Sequence, residues 1–277
     1  MAALLYNCGL LSESQRDRVG VVLVRPRNPL NIGAAARAMA NFGFLRLAVV
    51  AAYAPNWREA RSAIGAPELM QRARESETLG EAVADCTLVA GTASPGARRA
   101  DQRIIRLPEL SPLVQAEVAR GGRVALVFGP EKHGLTRDDL ACCHLLVEIP
   151  TDARQPSMNL GQAVAVCLYE LTAGGPARTA PASEGAGMDL RAPDAPAAAS
   201  GALDLLAAVI EETMIASGYS PTAMRAANRH DLRLLLHRLA FNEVDAKRSL
   251  RLFRRILWRL RRSGKVSGPV GQEGVSH

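Results

Sequence analysis

Cysteine, lysine and aromatic residues are all scarce in this sequence of 277 residues. Aromatic residues make up 4%, and the five cysteines are Cys8, Cys86, Cys142, Cys143 and Cys167. Their number is odd and no CxxC spacing occurs, which argues against both a disulfide framework and a zinc site. The sequence therefore predicts reduced thiols, a cytoplasmic location and no bound metal.

Several common sequence signals are also absent. No apolar stretch is long enough to span a membrane, and residues 1–11 lack the basic and apolar regions of a signal peptide. Neither the Walker A pattern nor GxGxxG occurs, so the common nucleotide-binding fingerprints do not apply. We expect no membrane association, and a ligand held by another kind of loop.

Positive charge is concentrated in one segment. The net charge is +7, and residues 225–265 contain 13 Arg or Lys against three acidic residues, so the rest of the chain is slightly negative. Such a cluster is typical of a protein that binds a polyanion, most often nucleic acid. A bias toward arginine would explain why lysines are few, but it would not explain the clustering.

Alternating apolar runs and amphipathic segments predict an α/β fold. Runs rich in Val, Leu and Ile predict buried strands at 20–24, 45–50, 87–92, 124–128 and 145–149. Helices are predicted at 32–41, 108–120, 137–142 and 160–171, with Asn31 capping the first and Thr136 forming a capping box with Asp139. This order predicts a mostly parallel sheet with helices on both faces.

Composition divides the chain into four segments. Residues 1–172 form the predicted α/β domain, 173–200 a linker rich in Ala, Pro and Gly, 201–264 a small helical domain, and 265–277 a tail. Helices are predicted at 202–216, 231–240 and 244–262. The last has an apolar face that is either core or a dimer contact, and an opposite face that is either solvated or binds phosphates. That second face contains Arg248, Arg251, Arg255, Arg259 and Arg262.

Two polar loops follow predicted strands, at 129–134 and 151–159. Ligands of open α/β sheets bind where loops leave the carboxyl ends of the strands, so both loops should border a binding site. Asn31 and Arg37 lie on the helix that follows the first strand, and alanines around Arg37 leave its guanidinium accessible. Taken alone, Arg37 would be better explained by a surface salt bridge.

Three motifs occur together and in order: Asn31-Ile32-Gly33 through Arg37, Gly129-Pro130-Glu131 with Gly134-Leu135-Thr136, and Ser157-Met158-Asn159-Leu160. Together they resemble the three motifs of the TrmH-type SPOUT RNA ribose methyltransferases, over residues 19–171. Residues 126–136 (LVFGPEKHGLT) and the appended helical region are most similar to the TrmJ branch. Members of that branch are tRNA 2′-O-methyltransferases that act on cytidine or uridine in the anticodon loop, at position 32.

The resemblance implies an S-adenosylmethionine-dependent homodimer whose C-terminal strands and loops form a trefoil knot. It implies catalytic roles for Asn31, Arg37, Glu131, Ser157 and Asn159. Arg37 and Asn31 would face the RNA, Ser157 and Asn159 would hold the ribose, and Glu131 would order the loop or the arginine. The cofactor would lie against Thr92, Ala93, Ser94, Gly129, Ile149, Pro156, Ser157, Met158 and Leu160. The five arginines of the last helix would bind tRNA or rRNA.

Two questions stay open, namely whether Arg37 acts as a base or as a cation, and which function and substrate the chain has. Enzymes of this kind are often assigned the arginine as general base, but a guanidinium stays charged in proteins. We therefore expect Arg37 to bind a phosphate and stabilise developing alkoxide charge. The alternatives are an rRNA 2′-O-methyltransferase of the same fold and a non-catalytic RNA-binding factor. His133 is interpreted as a loop residue. Trp258 and Tyr219 could stack on bases, but they are interpreted as core of the small domain.

Overall fold

The computed structural model describes residues 11–93, 102–173 and 196–263. Within these residues seven strands form one sheet, with the order β3-β2-β1-β6-β4-β7-β5 and every neighbouring pair parallel. The predicted parallel sheet is therefore confirmed. The strands are β1 (Val19–Val24), β2 (Arg46–Val50), β3 (Arg74–Ser76), β4 (Leu88–Ala93), β5 (Arg103–Arg106), β6 (Val124–Phe128) and β7 (Leu145–Glu148).

Helices follow most strands, and three more complete the chain. In order they are α1 (Glu13–Arg16), α2 (Pro29–Phe42), α3 (Pro67–Arg72), α4 (Leu79–Val83), α5 (Leu107–Ala119), α6 (Arg137–Leu140), α7 (Leu160–Ala173), α8 (Ser200–Ala216), α9 (Arg225–Arg238) and α10 (Glu243–Ser263). Short 3-10 helices span Trp57–Glu59 and Thr222–Met224.

Alternate side chains of the central strands enter two separate cores. Val21 and Leu23 of β1 belong to the larger core, together with the buried faces of α2, α5 and α7. Val22 and Val24 point the other way and pack with α4 and the segment after α6. Because successive side chains of a strand face opposite sides of a sheet, this alternation places helices on both faces, as predicted.

Two strands were not predicted, and both lie at the edges of the sheet. The strand β3 has the sequence Arg-Glu-Ser and β5 has Arg-Ile-Ile-Arg. Among the described residues, each is hydrogen-bonded to one neighbouring strand only. Continuous apolar runs identify strands that are buried on both faces, so short polar edge strands escape this criterion.

The last two strands occupy positions between strands that precede them in the chain. β6 lies between β1 and β4, and β7 lies between β4 and β5. Such an order is compatible with a knotted connection, because the late segments must pass beside earlier ones. The trefoil knot itself stays a prediction.

The helix α2 begins earlier than predicted. Asn28 is its N-cap, and the Asn28 side chain accepts a hydrogen bond from the Leu30 amide at 3.0 Å. Pro29 occupies the first helical position, where its missing N–H is not needed. The prediction of Asn31 as the cap was wrong, and its side chain is available for other contacts.

The helices α8, α9 and α10 pack on one another around Leu206 and Leu236. The first turn of α8 also contacts the α/β region, where the Ser200 amide donates to the Cys86 carbonyl at 2.8 Å. Ser200 is buried, so the last residue of the predicted linker is packed against the α/β region. The helix α8 begins there because its first amides donate to carbonyl groups of that region. Residues 174–195 of the linker and the predicted tail lie outside the described residues.

An ion pair ties the end of β1 to the start of α6. The Arg25 guanidinium hydrogen-bonds both carboxylate oxygens of Asp139, whose side chain is 7% exposed. Asp139 also forms the predicted capping box with Thr136. Burial alone would raise the pKa of Asp139, but the hydrogen bonds from Arg25 and Thr136 outweigh it and hold that pKa below its usual value.

We expect Asp139→Asn to lower the free energy of unfolding by about 1–3 kcal/mol, because it weakens a capping box and a charged hydrogen bond. The matched control is Asp138→Asn, an exposed neighbour, which should change stability by less than about 0.5 kcal/mol. Urea unfolding measures both. Since the folded-state pKa of Asp139 is depressed, its contribution is present above the unfolded pKa and is lost as pH falls below about 4. Equal stabilities of the two variants at neutral pH would contradict this account.

Candidate active site

The carboxyl ends of β4, β6 and β7 border one cavity of about 670 Å³, within the range typical of ligand sites. Eight of the nine predicted cofactor residues line it; the ninth, Ser94, lies outside the described residues. The structure thus brings together residues from three separate loops. These eight are Thr92, Ala93, Gly129, Ile149, Pro156, Ser157, Met158 and Leu160.

Other lining residues were not predicted. Apolar side chains form part of the wall, and polar ones lie among them. Phe128 and Leu146 end up there because they belong to the strands that border the cavity. His230 belongs to α9, about a hundred positions away from the loops, and no sequence signal connected it to them. Lys132, His133 and Thr151 belong to the two loops that were expected to border a binding site, and Leu135 belongs to the second motif. The unpredicted lining residues include Gln102, Phe128, Arg137, Leu140, Leu146 and His230.

Gly129 allows one wall of the cavity to be made of backbone. A Cβ atom at this position would lie 2.4 Å from the carbonyl carbon of Gly134 and 2.4 Å from the amide nitrogen of Leu135. The loop after β6 therefore folds back directly onto its own start. Gly134 completes the turn with a positive φ of 64°, which favours glycine.

The loop after β7 is held by hydrogen bonds at both ends. The Thr151 hydroxyl donates to the Pro156 carbonyl at 3.1 Å. The Asn159 side-chain oxygen accepts from the amides of Gly161 and Gln162, at 3.0 and 3.4 Å, at the start of α7. Pro156, Ser157 and Met158 are thereby presented to the cavity between two anchored points.

Three of the predicted catalytic residues form one hydrogen-bonded set, which we call the asparagine–glutamate set: Asn31, Glu131 and Asn159. The Asn31 amide group donates to Glu131 Oε1 at 2.8 Å, and the Asn159 amide group donates to Asn31 Oδ1 at 3.1 Å. Glu131 lines the cavity, as does the fourth predicted residue, Ser157. The set therefore joins loops from three motifs at the rim of the cavity.

The Glu131 carboxylate is kept ionised by its donors. Partial burial would raise its pKa, but hydrogen bonds from Asn31 and from backbone amides, including those of Arg27 and Asn28, more than offset burial. The pKa of Glu131 consequently lies below its usual value. At neutral pH the group accepts hydrogen bonds and holds no proton, so it is suited to positioning and not to acid catalysis.

Arg37 is not brought to the cavity by its own chain. It is exposed on α2 and does not line the cavity. Among the residues that the structure describes, Arg37 has no ion-pair or hydrogen-bond partner, so the salt-bridge interpretation finds no support. The helix separates it from Asn31, which faces Glu131.

Histidines connect α9 to the region around the cavity. Arg137 Nε donates to His230 Nε2 at 3.0 Å, and the Val89 amide donates to Nδ1 of His144. His144 Nε2 then holds the proton and donates to His237 Nδ1 at 3.2 Å. Burial, with Arg233 nearby, lowers the pKa of His237 to about 4. The His237 ring, which contacts His144 of the α/β region, is therefore neutral at physiological pH.

The helix α10 has the two faces that were predicted. Leu257 is buried, and Leu250 and Phe253 pack against the core of the C-terminal helices, whereas the five predicted RNA-binding arginines are exposed. The interpretation of Trp258 and Tyr219 as core was wrong, since they are 53% and 71% exposed. Trp258 lies on the arginine side of the helix, and residues from the other side fill the core.

The described ranges hold no cluster of His, Cys, Asp or Glu suited to a metal ion. Across 11–93, 102–173 and 196–263, no helix is long and apolar enough to cross a membrane. Cys86, Cys142, Cys143 and Cys167 are buried and unpaired. Burial raises the pKa of the Cys86 and Cys167 thiols to about 12, so they stay protonated and unreactive.

Comparison with known proteins identifies the family. The model of the SpoU rRNA Methylase family matches residues 18–169, which is more than half of the chain. The chain belongs to this family. The matched region includes all three motifs and every described residue of the cavity except His230.

Two relatives of the chain are named as tRNA-modifying enzymes. The tRNA (cytidine/uridine/adenosine-2′-O-)-methyltransferase TrmJ of Pseudomonas aeruginosa is 39% identical over 156 residues, which are 56% of this chain and 60% of the relative. The tRNA (cytidine-2′-O-)-methyltransferase TrmJ of Methanocaldococcus jannaschii is 38% identical over 156 residues, 55% of this chain and 66% of the relative. The match thus spans less than two thirds of these relatives' lengths.

A solved structure, that of TrmJ from Z. mobilis, matches with a TM-score of 0.70 and 29% identity. The match covers 87% of this chain and 98% of that one. The resemblance to the SPOUT family and its TrmJ branch, predicted from three short motifs, is confirmed by these matches.

The asparagine–glutamate set predicts how the Glu131 carboxyl titrates. Asn31→Ala removes a donor to the ionised form and should raise the pKa of Glu131 toward its usual value. Asn159→Ala, which contacts Glu131 only through Asn31, should raise it less. Side-chain carbon chemical shifts followed by NMR against pH measure both changes. A pKa unaltered by Asn31→Ala would show that the hydrogen bond does not stabilise the carboxylate.

Proposed function

We propose that this SpoU-family chain transfers a methyl group from S-adenosylmethionine to a ribose 2′-hydroxyl of tRNA. More specifically, we propose a cytidine or uridine of the anticodon loop as the target. The observation that carries the proposal is the asparagine–glutamate set at the rim of a cavity built from strand-end loops. The names of the relatives, which are tRNA 2′-O-methyltransferases, support the same substrate class.

The residues of the cavity fit the proposed cofactor. The backbone wall at Gly129 gives the close approach that a flat purine needs, and Ile149, Met158 and Leu160 offer apolar contacts. When bound, the cofactor supplies a methyl group on a sulfonium that is already a good leaving group. The chain must therefore position the two reactants and stabilise charge, and it needs no metal to do so.

Asn31, Glu131 and Asn159 act as positioning residues in this proposal. Glu131 fixes the orientation of the Asn31 amide, and Asn159 fixes both Asn31 and the start of α7. Ser157 is presented to the cavity beside them and would contact the ribose. Orientation of this kind lowers the activation free energy of methyl transfer, because the reactants have already lost translational and rotational freedom when they bind.

A homodimer would complete the site, because Arg37 lies outside the cavity of its own chain. The helices α2 and α7 pack against each other, and both carry exposed apolar side chains. Leu30 on α2 and Tyr169 on α7 are both 54% exposed. We propose this surface as the contact with a second copy of the chain, which would bring each Arg37 to the cavity of the other subunit.

Within such a dimer Arg37 acts as a cation. It would bind the phosphate next to the target ribose and stabilise the charge that develops on the 2′-oxygen as its proton passes to solvent. The oxygen–methyl bond would form as the sulfur–methyl bond breaks, with S-adenosylhomocysteine as the leaving group. The arginine face of α10 would hold other phosphates, with a strong dependence of affinity on salt. Action on tRNA also implies a cytoplasmic location for the chain.

The assay is transfer of radiolabelled methyl from S-adenosylmethionine to unmodified tRNA, with the site mapped by resistance to alkaline cleavage. We expect label on one ribose of the anticodon loop. Label on ribosomal RNA alone would favour the rRNA enzyme, the alternative that the description of the family model suggests. Binding of tRNA without label on either RNA would favour the non-catalytic factor.

Arg37→Ala should reduce the transfer rate by about 100-fold or more, the effect typical of losing a group that stabilises transition-state charge. Arg37→Lys keeps the charge and should retain part of the activity, with weaker RNA binding. The matched control is Arg72→Ala, an exposed arginine on α3 that is paired with Glu68, and this variant should leave the rate unchanged. A Lys variant that binds RNA normally and is inactive would contradict the role of Arg37 as a cation.

A further inference from the structure

The solvent-facing side of α10 combines arginines with one tryptophan. Residues three or four positions apart on a helix lie on the same face. Arg251, Arg255, Trp258 and Arg262 have this spacing and form one row, with Arg248 and Arg259 beside it. The ring of Trp258 is therefore surrounded by guanidinium groups on the side of the helix opposite to the core.

Trp258 is accessible to solvent, and its ring contacts the guanidinium group of Arg262. It is 53% exposed, and the Arg262 guanidinium carbon lies 4.6 Å from the ring centroid. A cation at this distance is attracted to the face of the ring. Burial of α10 against α8 is made by other side chains, so packing does not explain Trp258.

Some of the surrounding charges are available to a ligand, whereas Arg248 is paired with Asp245 at 3.6 Å. Arg251, Arg254 and Arg255 have no acidic partner within the described part of the chain. Arg261, in contrast, lies to one side and pairs with Glu212 at 2.6 Å. A polyanion that approaches this face meets several unneutralised guanidinium groups around an aromatic ring.

We propose that Trp258 is a stacking platform for an unpaired base of the RNA substrate, with the flanking arginines holding the phosphates on either side. Every base has a flat face that stacks on an aromatic ring, and proteins that bind single strands combine such rings with basic grooves. A base inside a duplex is covered by its neighbours and cannot stack there. This inference rests on the proposed function, since it takes RNA as the ligand.

The charge of the face argues against a second copy of the chain as its occupant. A symmetric contact would place the same row of arginines against itself, and like charges brought together are unfavourable. The exposed apolar residues Leu252 and Ile256 lie beside the row and do not alter its sign. Charge complementarity therefore favours RNA.

Trp258 provides its own spectroscopic probe. The chain contains two tryptophans, and the other, Trp57, is fully buried. Stacking on a base quenches tryptophan fluorescence, so titration of the full chain with RNA reports on Trp258 directly. The two probes are a single-stranded oligoribonucleotide and a fully paired hairpin of the same length. The variant Trp258→Phe, which retains only Trp57, is the blank.

We expect saturable quenching by the single strand, none by the paired hairpin, and none in the blank. Trp258→Ala should weaken binding of the single strand by about 10-fold, within the range for loss of one base–aromatic stack. Trp258→Phe should weaken it less, and binding of the hairpin should not change. Leu252→Ala, which removes an exposed apolar side chain from the same helix, should bind both RNAs normally.

Equal quenching by the two RNAs, or unchanged affinity of Trp258→Ala for the single strand, would overturn the inference. Dissociation of oligomers in Trp258→Ala with normal RNA binding would overturn it in favour of a second copy. The readout is separate from methyl transfer. Stacking without transfer would refute only the proposed enzyme, and transfer to tRNA without quenching would refute only the role of Trp258.

Discussion

The site depends on one ionised carboxylate that joins three loops distant in sequence. Glu131 accepts from Asn31 at 2.8 Å, and Asn31 in turn accepts from Asn159 at 3.1 Å. The contacts are possible because β1 and β6 are parallel neighbours, with Leu23 opposite Phe128, so the loops that follow leave the sheet side by side. Partial burial raises the pKa of Glu131, but the hydrogen-bond donors around the carboxylate lower that pKa by more, so the group stays ionised. Loss of this charge would release the loops from one another.

Two features of the chain allow Asn31 and Glu131 to meet at the rim of the cavity. Asn28 and Pro29 begin α2 one turn before Asn31, which frees the Asn31 side chain from capping. Gly129 lets the loop after β6 return to within contact of its own start and so presents Glu131 at the rim. The helix α9 also supplies His230 to the cavity, where it accepts a hydrogen bond from Arg137. The C-terminal helices are consequently part of the surroundings of the site.

The sequence was sufficient to predict the strands that are marked by continuous apolar runs and the site residues that belong to the three motifs. Central strands such as β6 were found because their side chains are buried on both faces, whereas β3 and β5 were missed because edge strands need not be apolar. Asn31 was interpreted as a cap because its local chemistry suits one, and only the position of Pro29 favours the earlier start. His230 reaches the cavity through tertiary packing, and the spacing of residues along the sequence does not indicate such a contact. Trp258 was taken for core because tryptophan usually is, although its row of arginines already indicated the other face.

The most direct measurement is a calorimetric titration of the chain with S-adenosylmethionine, because the account requires that the cavity bind this molecule. It predicts one site per chain in the wild type and binding weakened at least about 10-fold in Gly129→Ala, where the added Cβ would displace backbone. Gly20→Ala, a glycine of β1 whose Cβ would meet ordinary contacts of 3.4 Å or more, should bind normally. No binding by the wild type, or equal binding by the Gly129→Ala variant, would contradict the account.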